Sequence, residues 1–316
     1  MRRLPLHVTP VATLAMVAVL GCAPPGDETL PAGVETAAEG TAPSNAIVSN
    51  AIVDLLASGR AAFGVFSGEQ TAEQGARTAA VAEADLVFYS MEEGPFDVAR
   101  MQAYMDALRG AAVDPESARP LVLRVPPASA GEDALRQHVT RALDAGVHGI
   151  VFPHVRHAAD AELALGAMRF AEAAGSPPGA RPQTVGRAPQ VWGASEDAYR
   201  RAADLWPLTE DGELVAMLIV EDEEGVANAA EIAATPGIGV LFAGPGDLRR
   251  AYDGDLEAVE AAIQTVLAAC QEHGVACGIT AGPDDVEARL AEGFRVIIVL
   301  RDEALAIGRA AAGRAG

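Results

Sequence analysis

The chain has 316 residues, half of them apolar and only 4% aromatic, and a formal net charge of −21. That balance excludes a nucleic-acid-binding surface, because a phosphate backbone needs a basic partner. It also excludes docking to anionic lipid through a polybasic patch.

At the N-terminus, residues 1–22 read as a signal peptide. Arg2 and Arg3 precede an apolar stretch, residues 11–20, that is too short to span a bilayer. The stretch closes on Val19-Leu20-Gly21-Cys22, which resembles a bacterial lipobox, although Leu20 is large for its position. On this reading Cys22 is lipidated and becomes the mature N-terminus. The alternative is an ordinary signal peptide with an incidental Cys. A lipid anchor at Cys22 implies the cell envelope, on a periplasmic or extracytoplasmic face, with no other membrane contact. Residues 23–46 are rich in Ala, Pro, Gly, Thr and Glu and lack an apolar period, as in a flexible tether.

From residue 47 to 316, short β-like runs alternate with Ala-rich amphipathic stretches. Eight strands are expected at 62–66, 86–90, 121–125, 149–155, 215–221, 239–243, 276–280 and 295–300. Apolar residues at 3–4 spacing place helices at 69–83, 98–111, 133–145, 158–174, 225–234, 256–273, 284–291 and 302–312. Asp133, Asp284 and Asp302 stand near helix starts, and Gly146, Gly274 and Gly293 just beyond helix ends. Eight β/α alternations point to a single-domain α/β fold, a closed (β/α)₈ TIM barrel. A doubly wound open sheet is the alternative, weakened because no glycine-rich nucleotide fingerprint follows the first strand. Residues 175–213 break the rhythm and read as a functional, interface or specificity segment, or else as a surface insertion. Cys270 and Cys277 show neither metal-type spacing nor a disulfide framework, so they read as small buried hydrophobes.

In a barrel of this kind, chemistry is carried at the C-terminal ends of the strands. The polar residues there are Glu92 and Glu93 after strand two, Arg124 in strand three, His154 after strand four and Glu221 after strand five. Asp247 follows strand six, Thr280 lies on strand seven and Arg301 follows strand eight. Carboxylates beside an arginine suit a hard divalent cation, and Glu221 and Asp247 lie on neighbouring strand ends where they could share one. Arg124 would stabilise negative charge developing on an adjacent oxygen. Each residue also has a plain structural explanation: Glu221 as a helix cap, Asp247 as a turn acid, Arg124 as an ion-pair partner.

Several stretches resemble the HpcH/HpaI aldolase/citrate lyase family of class II pyruvate aldolases. They are Leu121-Val122-Leu123-Arg124-Val125-Pro126, Leu218-Ile219-Val220-Glu221-Asp222-Glu223-Glu224-Gly225-Val226 and Leu241-Phe242-Ala243-Gly244-Pro245-Gly246-Asp247-Leu248. The loop Pro177-Pro178-Gly179-Ala180-Arg181 is similar to that family's Pro-Pro-Gly-x-Arg segment. The resemblance implies a phosphoenolpyruvate/pyruvate-type barrel and a divalent-metal-dependent carbon–carbon lyase. It would cleave or form 4-hydroxy-2-oxo acids through a pyruvate enolate, from a small 2-oxo acid and an aldehyde. It further implies Glu221 and Asp247 as ligands of Mg²⁺ or Mn²⁺, with Co²⁺ as another candidate, and Arg124 on the 2-oxo oxygen. The backbone of Gly244, Pro245 and Gly246 would face the substrate carboxylate, and the chain would form a trimeric or hexameric homo-oligomer. One motif departs from the pattern. The family carries Asp-x-Glu-His-(Gly/Ala)-Pro after strand two, where this chain has Ser90-Met91-Glu92-Glu93-Gly94-Pro95. Glu93 therefore stands in the place of the proton-transferring histidine, and a carboxylate with a raised pKa could take that role. His154, at a position that is apolar in the family, could compensate, although a lone histidine is more often structural. The altered motif also admits a second expectation: an envelope lipoprotein, impaired in catalysis, that binds a metal and a small 2-oxo acid.

Overall fold

Aliphatic runs too short for helices pair edge to edge as parallel strands, and burial on both faces explains their unbroken hydrophobicity. The computed structural model describes residues 49–113 and 119–314. The expected signal peptide with Cys22 and the tether at 23–46 lie outside the described residues. The strands are β1 (Ala62–Phe66), β2 (Leu86–Ser90), β3 (Leu121–Arg124), β4 (Gly149–Phe152), β5 (Leu205–Trp206), β6 (Leu214–Val220), β7 (Val240–Ala243), β8 (Ala276–Ala281) and β9 (Val296–Val299). All pairings are parallel. β1 pairs with both β2 and β9, and β4 pairs with β6, so eight strands close into a barrel. The two-residue β5 sits outside that ring, against the start of β6.

Around the barrel lie α1 (Ala51–Ala57), α2 (Ala72–Ala79), α3 (Val98–Gly110), α4 (Glu132–Ala145), α5 (Ala158–Met168), α6 (Ala188–Val191) and α7 (Glu196–Ala202). They are followed by α8 (Glu223–Ala227), α9 (Ala229–Ala233), α10 (Pro245–Ala251), α11 (Leu256–His273), α12 (Val286–Glu292) and α13 (Glu303–Ala311). The expected helix at 225–234 is two short ones that meet at Asn228, and the one at 158–174 stops at Met168.

Two apolar layers follow from strand alternation, in which successive side chains point to opposite faces. Leu86, Phe88, Val122, Val151, Val215, Met217, Ile219, Val240, Phe242, Val296 and Ile298 fill the barrel interior. The intervening residues, such as Val87, Leu123, Phe152, Val220 and Ala243, pack outward against the helices. The short helix α1, which the sequence pattern did not reveal, adds Ile52, Val53 and Leu55 to the interior layer and closes the barrel at the N-terminal ends of its strands. It is tied down by Asn50, whose side chain donates to the Glu213 carbonyl at 2.8 Å and whose N–H donates to Glu213 Oε2 at 2.7 Å.

Two expectations need correction. Residues 175–213 are anchored to the barrel and do not stand off it as a surface insertion. Trp192 stacks on His148 with ring centroids 5.0 Å apart, and Arg181, 0% exposed, is buried against Phe170 and Tyr199. Since His148 precedes β4 and β5 meets the start of β6, the segment packs toward the N-terminal side of the barrel, away from the strand ends that carry polar side chains. Cys270 and Cys277 are not two separate small hydrophobes. They are joined in a disulfide between α11 and β8, with Cα atoms 5.6 Å apart. A spacing of seven residues across a helix–turn–strand connection is compatible with such a bridge, and the sequence pattern alone does not single it out.

Candidate active site

The alternation that fills the barrel also decides which polar residues reach its mouth. On β6 the inward series Val215, Met217, Ile219 continues to Glu221, and on β3 Val122 is followed by Arg124. On β2 the series Leu86, Phe88 leads to Ser90 and then Glu92, and on β7 Val240 and Phe242 lead to Gly244. Extending the interior layer by one more step therefore assembles a polar cluster at the C-terminal mouth.

Arg124 is fixed from β2. Its Nε donates to Ser90 Oγ at 2.9 Å, its Nη2 lies 2.9 Å from Glu92 Oε2, and its guanidinium sits over the Phe88 ring at 5.5 Å. Ser90 and Arg124 are directly opposed in the β2–β3 register, which puts the short hydroxyl within reach of the guanidinium. Glu221 is 3% exposed and accepts the His154 N–H through Oε1 at 2.8 Å. Burial pushes its carboxyl above the ordinary range. Its neighbours Asp247 and Glu92 push the same way, Asp247 also through a hydrogen bond, against the opposing bond from the His154 amide. Asp247 lies in the first turn of α10 and accepts from Arg250 Nη1. Glu221 and Asp247, 26 residues apart in sequence, thus meet at the mouth. Gly244 makes room for them: a Cβ there would lie 2.7 Å from Glu221 Cβ and 2.8 Å from Glu221 Oε2. Gly246, by contrast, faces open space.

His154 joins the cluster against the parity of its strand. Val151 points into the barrel and Phe152 outward, so continued alternation would turn residue 154 away from the mouth. The chain instead adopts a left-handed conformation at His154, with φ of 55°, uncommon for a residue with a side chain. That turn brings both its N–H and its ring to Glu221. Nδ1 lies 3.2 Å from Glu221 Oε1, and Nε2 lies 3.7 Å from Glu92 Oε1. Glu92, His154 and Glu221 each offer one ligand atom, all within 4.8 Å of one another.

The remaining sequence candidates separate cleanly. Glu93, expected as the catalytic carboxylate, is exposed and forms no hydrogen bond or ion pair among the described residues. It follows Glu92 by one position and so falls out of phase with Ser90 and Glu92; Glu92 is the loop acid that meets Arg124. Asp222 faces away from Glu221 in role: it caps α8 by accepting the Gly225 N–H at 2.8 Å and pairs with Arg156. Arg301 lies 3.8 Å from the exposed Asp284, apart from the cluster, and Thr280 lies half-buried in β8.

Two carboxylates in contact, one of them buried and held above its usual pKa, form a donor set that fits a divalent cation, because a cation would relieve the repulsion that burial intensifies. A third carboxylate and an arginine beside them leave the cluster suited to an anionic, oxygen-rich ligand.

Comparison with known proteins identifies the family and the fold. The HpcH/HpaI aldolase/citrate lyase family model matches residues 63–307. The chain is similar to 5-keto-4-deoxy-D-glucarate aldolase from Escherichia coli strain K12, with 28% identity over 209 residues covering 65% of this chain and 72% of that protein. Among solved structures, it is similar to an HpcH/HpaI aldolase/citrate lyase family protein from Burkholderia cenocepacia J2315. The TM-score there is 0.68 and the identity 26%, over 83% of this chain and 96% of the other. It also shares its fold, at a TM-score of 0.50 and 20% identity over 80% of this chain and 90% of the other, with the protein CitE from Mycobacterium tuberculosis solved with magnesium and pyruvate. The family match covers most of the barrel, including Arg124, Glu221 and Asp247, and the chain belongs to the HpcH/HpaI aldolase/citrate lyase family.

Proposed function

We propose that this chain is a divalent-cation-dependent carbon–carbon lyase that cleaves or forms 4-hydroxy-2-oxo acids, releasing or consuming pyruvate and an aldehyde. The observation that carries the reading is the contact between buried Glu221 and Asp247, at the barrel mouth that also holds Arg124. Glu221 and Asp247 would hold Mg²⁺, Mn²⁺ or Co²⁺. When bound, the cation supplies charge neutralisation at the 2-oxo and carboxylate oxygens of the substrate.

The chain's own residues account for the rest. Arg124, tied through Nε to Ser90 and through Nη2 to Glu92, is held in one orientation with further N–H donors free for the 2-oxo oxygen. Negative charge develops on that oxygen as the bond between C3 and C4 breaks, so a fixed guanidinium there favours the transition state over the ground state. Glu92 has one oxygen on Arg124 and the other facing the mouth, which suits it to take the 4-hydroxyl proton as the aldehyde forms. The proton returned to C3 then completes pyruvate. The Gly244–Gly246 turn lets the backbone approach the ligand closely, since Glu221 and Ile219 occupy the space a side chain at 244 would need.

One observation favours a second reading, a barrel that binds the cation and a 2-oxo acid with impaired turnover. The position held by the family's histidine is Glu93, and it is exposed. A panel of 4-hydroxy-2-oxo acids, with Mg²⁺, Mn²⁺ or Co²⁺ and coupled detection of pyruvate, tests the choice. Metal-dependent release supports the lyase. Thermal stabilisation by cation plus oxalate without release supports the binder, and neither response refutes both.

The envelope location is part of the same proposal. A disulfide between Cys270 and Cys277 persists in oxidising compartments and is rare in a reducing cytosol, which agrees with an exported chain anchored at Cys22. Radiolabelled palmitate incorporation in wild type and Cys22→Ala tests it: label on wild type alone supports the anchor, and no label on either removes it.

A further inference from the structure

The cation pair of Glu221 and Asp247 is an all-oxygen donor set, yet an imidazole stands against it. His154 reaches Glu221 through both main chain and ring, with N–H to Oε1 at 2.8 Å and Nδ1 to Oε1 at 3.2 Å. The ring is 39% exposed on the mouth side, and its other nitrogen lies 3.7 Å from Glu92 Oε1. It reaches this place only because the backbone at 154 turns left-handed, against the inward–outward alternation of β4. Such a conformation is costly in a residue with a side chain and is retained where surrounding contacts over-determine it. Burial in the core does not explain it, since the ring is partly open. Helix capping does not explain it either, since the cap of α5 is His157.

The spacing fits coordination. Bonds of about 2.0–2.2 Å to one ion place adjacent ligand atoms about 3 Å apart and opposite ones somewhat over 4 Å. The ligand atoms of Glu92, His154 and Glu221 all lie within 4.8 Å of one another, close to that limit. Glu92 is held by Arg124 through Oε2 and turns Oε1 toward His154 Nε2 at 3.7 Å, so the closest pair of ligand atoms is Glu221 Oε1 and His154 Nδ1 at 3.2 Å.

Resting on the cation site proposed above, we infer that the His154 imidazole is a third protein ligand, which makes this a mixed nitrogen–oxygen site that favours a borderline transition ion such as Co²⁺ over Mg²⁺. The chemistry follows from ligand type. Mg²⁺ takes oxygen donors and keeps its waters, whereas an imidazole nitrogen strengthens binding of later first-row ions and does little for Mg²⁺.

The test measures binding by calorimetry with each chloride salt alone, on the full-length protein and on His154→Asn and His154→Gly. Both replacements tolerate a positive φ, so the backbone turn is kept, and thermal melts without metal check the fold. The expected result is a fall in Co²⁺ affinity of about 10-fold or more in both variants, with Mg²⁺ affinity changed less than about 3-fold. Wild type loaded with Co²⁺ should also show a paramagnetically shifted, exchangeable imidazole N–H proton resonance that His154→Asn lacks. Equal losses for Mg²⁺ and Co²⁺, or no loss for either, overturn the inference, as does an unchanged resonance. Glu221→Ala, measured alongside, separates the two levels: if it abolishes binding of both ions while the His154 variants bind normally, the cation site stands and only the nitrogen ligand fails. If Glu221→Ala itself binds as wild type, the cation site fails with it.

Discussion

Gly244 and Gly246 lie two residues apart in one turn, and the structure predicts opposite outcomes for the same substitution. In Gly244→Ala the new Cβ would meet Glu221 Cβ at 2.7 Å, Glu221 Oε2 at 2.8 Å and Ile219 Cγ2 at 2.9 Å. Comfortable carbon contacts lie at about 3.5–4.0 Å, so three overlaps arise at once. Glu221 cannot swing clear, because it is buried and pinned by the His154 N–H. Overpacking of this kind costs about 1–3 kcal/mol. In a domain of this size each kcal/mol moves Tm by about 2–4 °C, which gives a fall of about 2–12 °C. The displaced carboxyl should also weaken Mn²⁺ binding by about 10–100-fold, as expected when the support of a metal ligand is disturbed. Gly246→Ala meets nothing within 4 Å and lies in α10, so replacing glycine by alanine there should leave Mn²⁺ affinity intact. It should raise stability by about 0.5–1 kcal/mol. Thermal melts with and without Mn²⁺, and calorimetric titration, read both variants. A Gly244→Ala protein with wild-type Tm and wild-type Mn²⁺ affinity would refute the packing of Glu221 against this turn.

Other outcomes follow from the same geometry. His148 is half-buried against Trp192, and desolvation there, with a smaller push from Arg109, lowers its pKa from 6.5 to about 4. The folded state therefore excludes a proton that the unfolded chain accepts. Stability present above pH 6.5 should be lost as pH falls toward 4, by about 3 kcal/mol, and urea unfolding of wild type against His148→Phe should show this difference in slope between those pH values. Arg124→Lys keeps the charge but loses the planar fork held by Ser90 and Glu92, so kcat for pyruvate release should fall by about 10²–10³ with little change in KM. Retention of kcat within a few-fold would remove Arg124 from the transition state. Reduction of the Cys270–Cys277 bond, which closes a loop of seven-residue separation, should cost about 2–3 kcal/mol in urea unfolding. Dithiothreitol should have no such effect on Cys270→Ala/Cys277→Ala.

Much of this architecture is legible from local pattern. Each of the eight barrel strands falls within a residue or a few of the expected run, because a strand buried on both faces leaves an uninterrupted aliphatic signature. The helix at Leu256–His273 is matched end to end, with Asp255 accepting from two N–H groups at its start and Gly274 in the left-handed conformation at its close. What escaped reading has nonlocal causes. The helix Ala51–Ala57 is short, and its place is set by plugging the barrel and by the Asn50–Glu213 bonds across 163 residues. Segment 175–213 owes its position to Trp192 on His148 and to the buried Arg181, neither visible in its own composition. At the site, parity would have chosen Glu92 over Glu93, since Leu86, Phe88 and Ser90 set the phase. His154 breaks parity through its backbone, and no sequence periodicity reveals that.

The proposed chemistry requires Glu221 and Asp247 to grip one cation, and thermal stabilisation of wild type, Glu221→Ala and Asp247→Ala by Mn²⁺ together with oxalate measures that directly. Wild type should gain about 2–4 kcal/mol at ligand concentrations of about 100–1,000 Kd, and each variant should lose most of that gain while keeping the barrel's cooperative melt. Stabilisation of either variant equal to wild type would contradict the shared cation and, with it, the chemistry proposed for this barrel mouth.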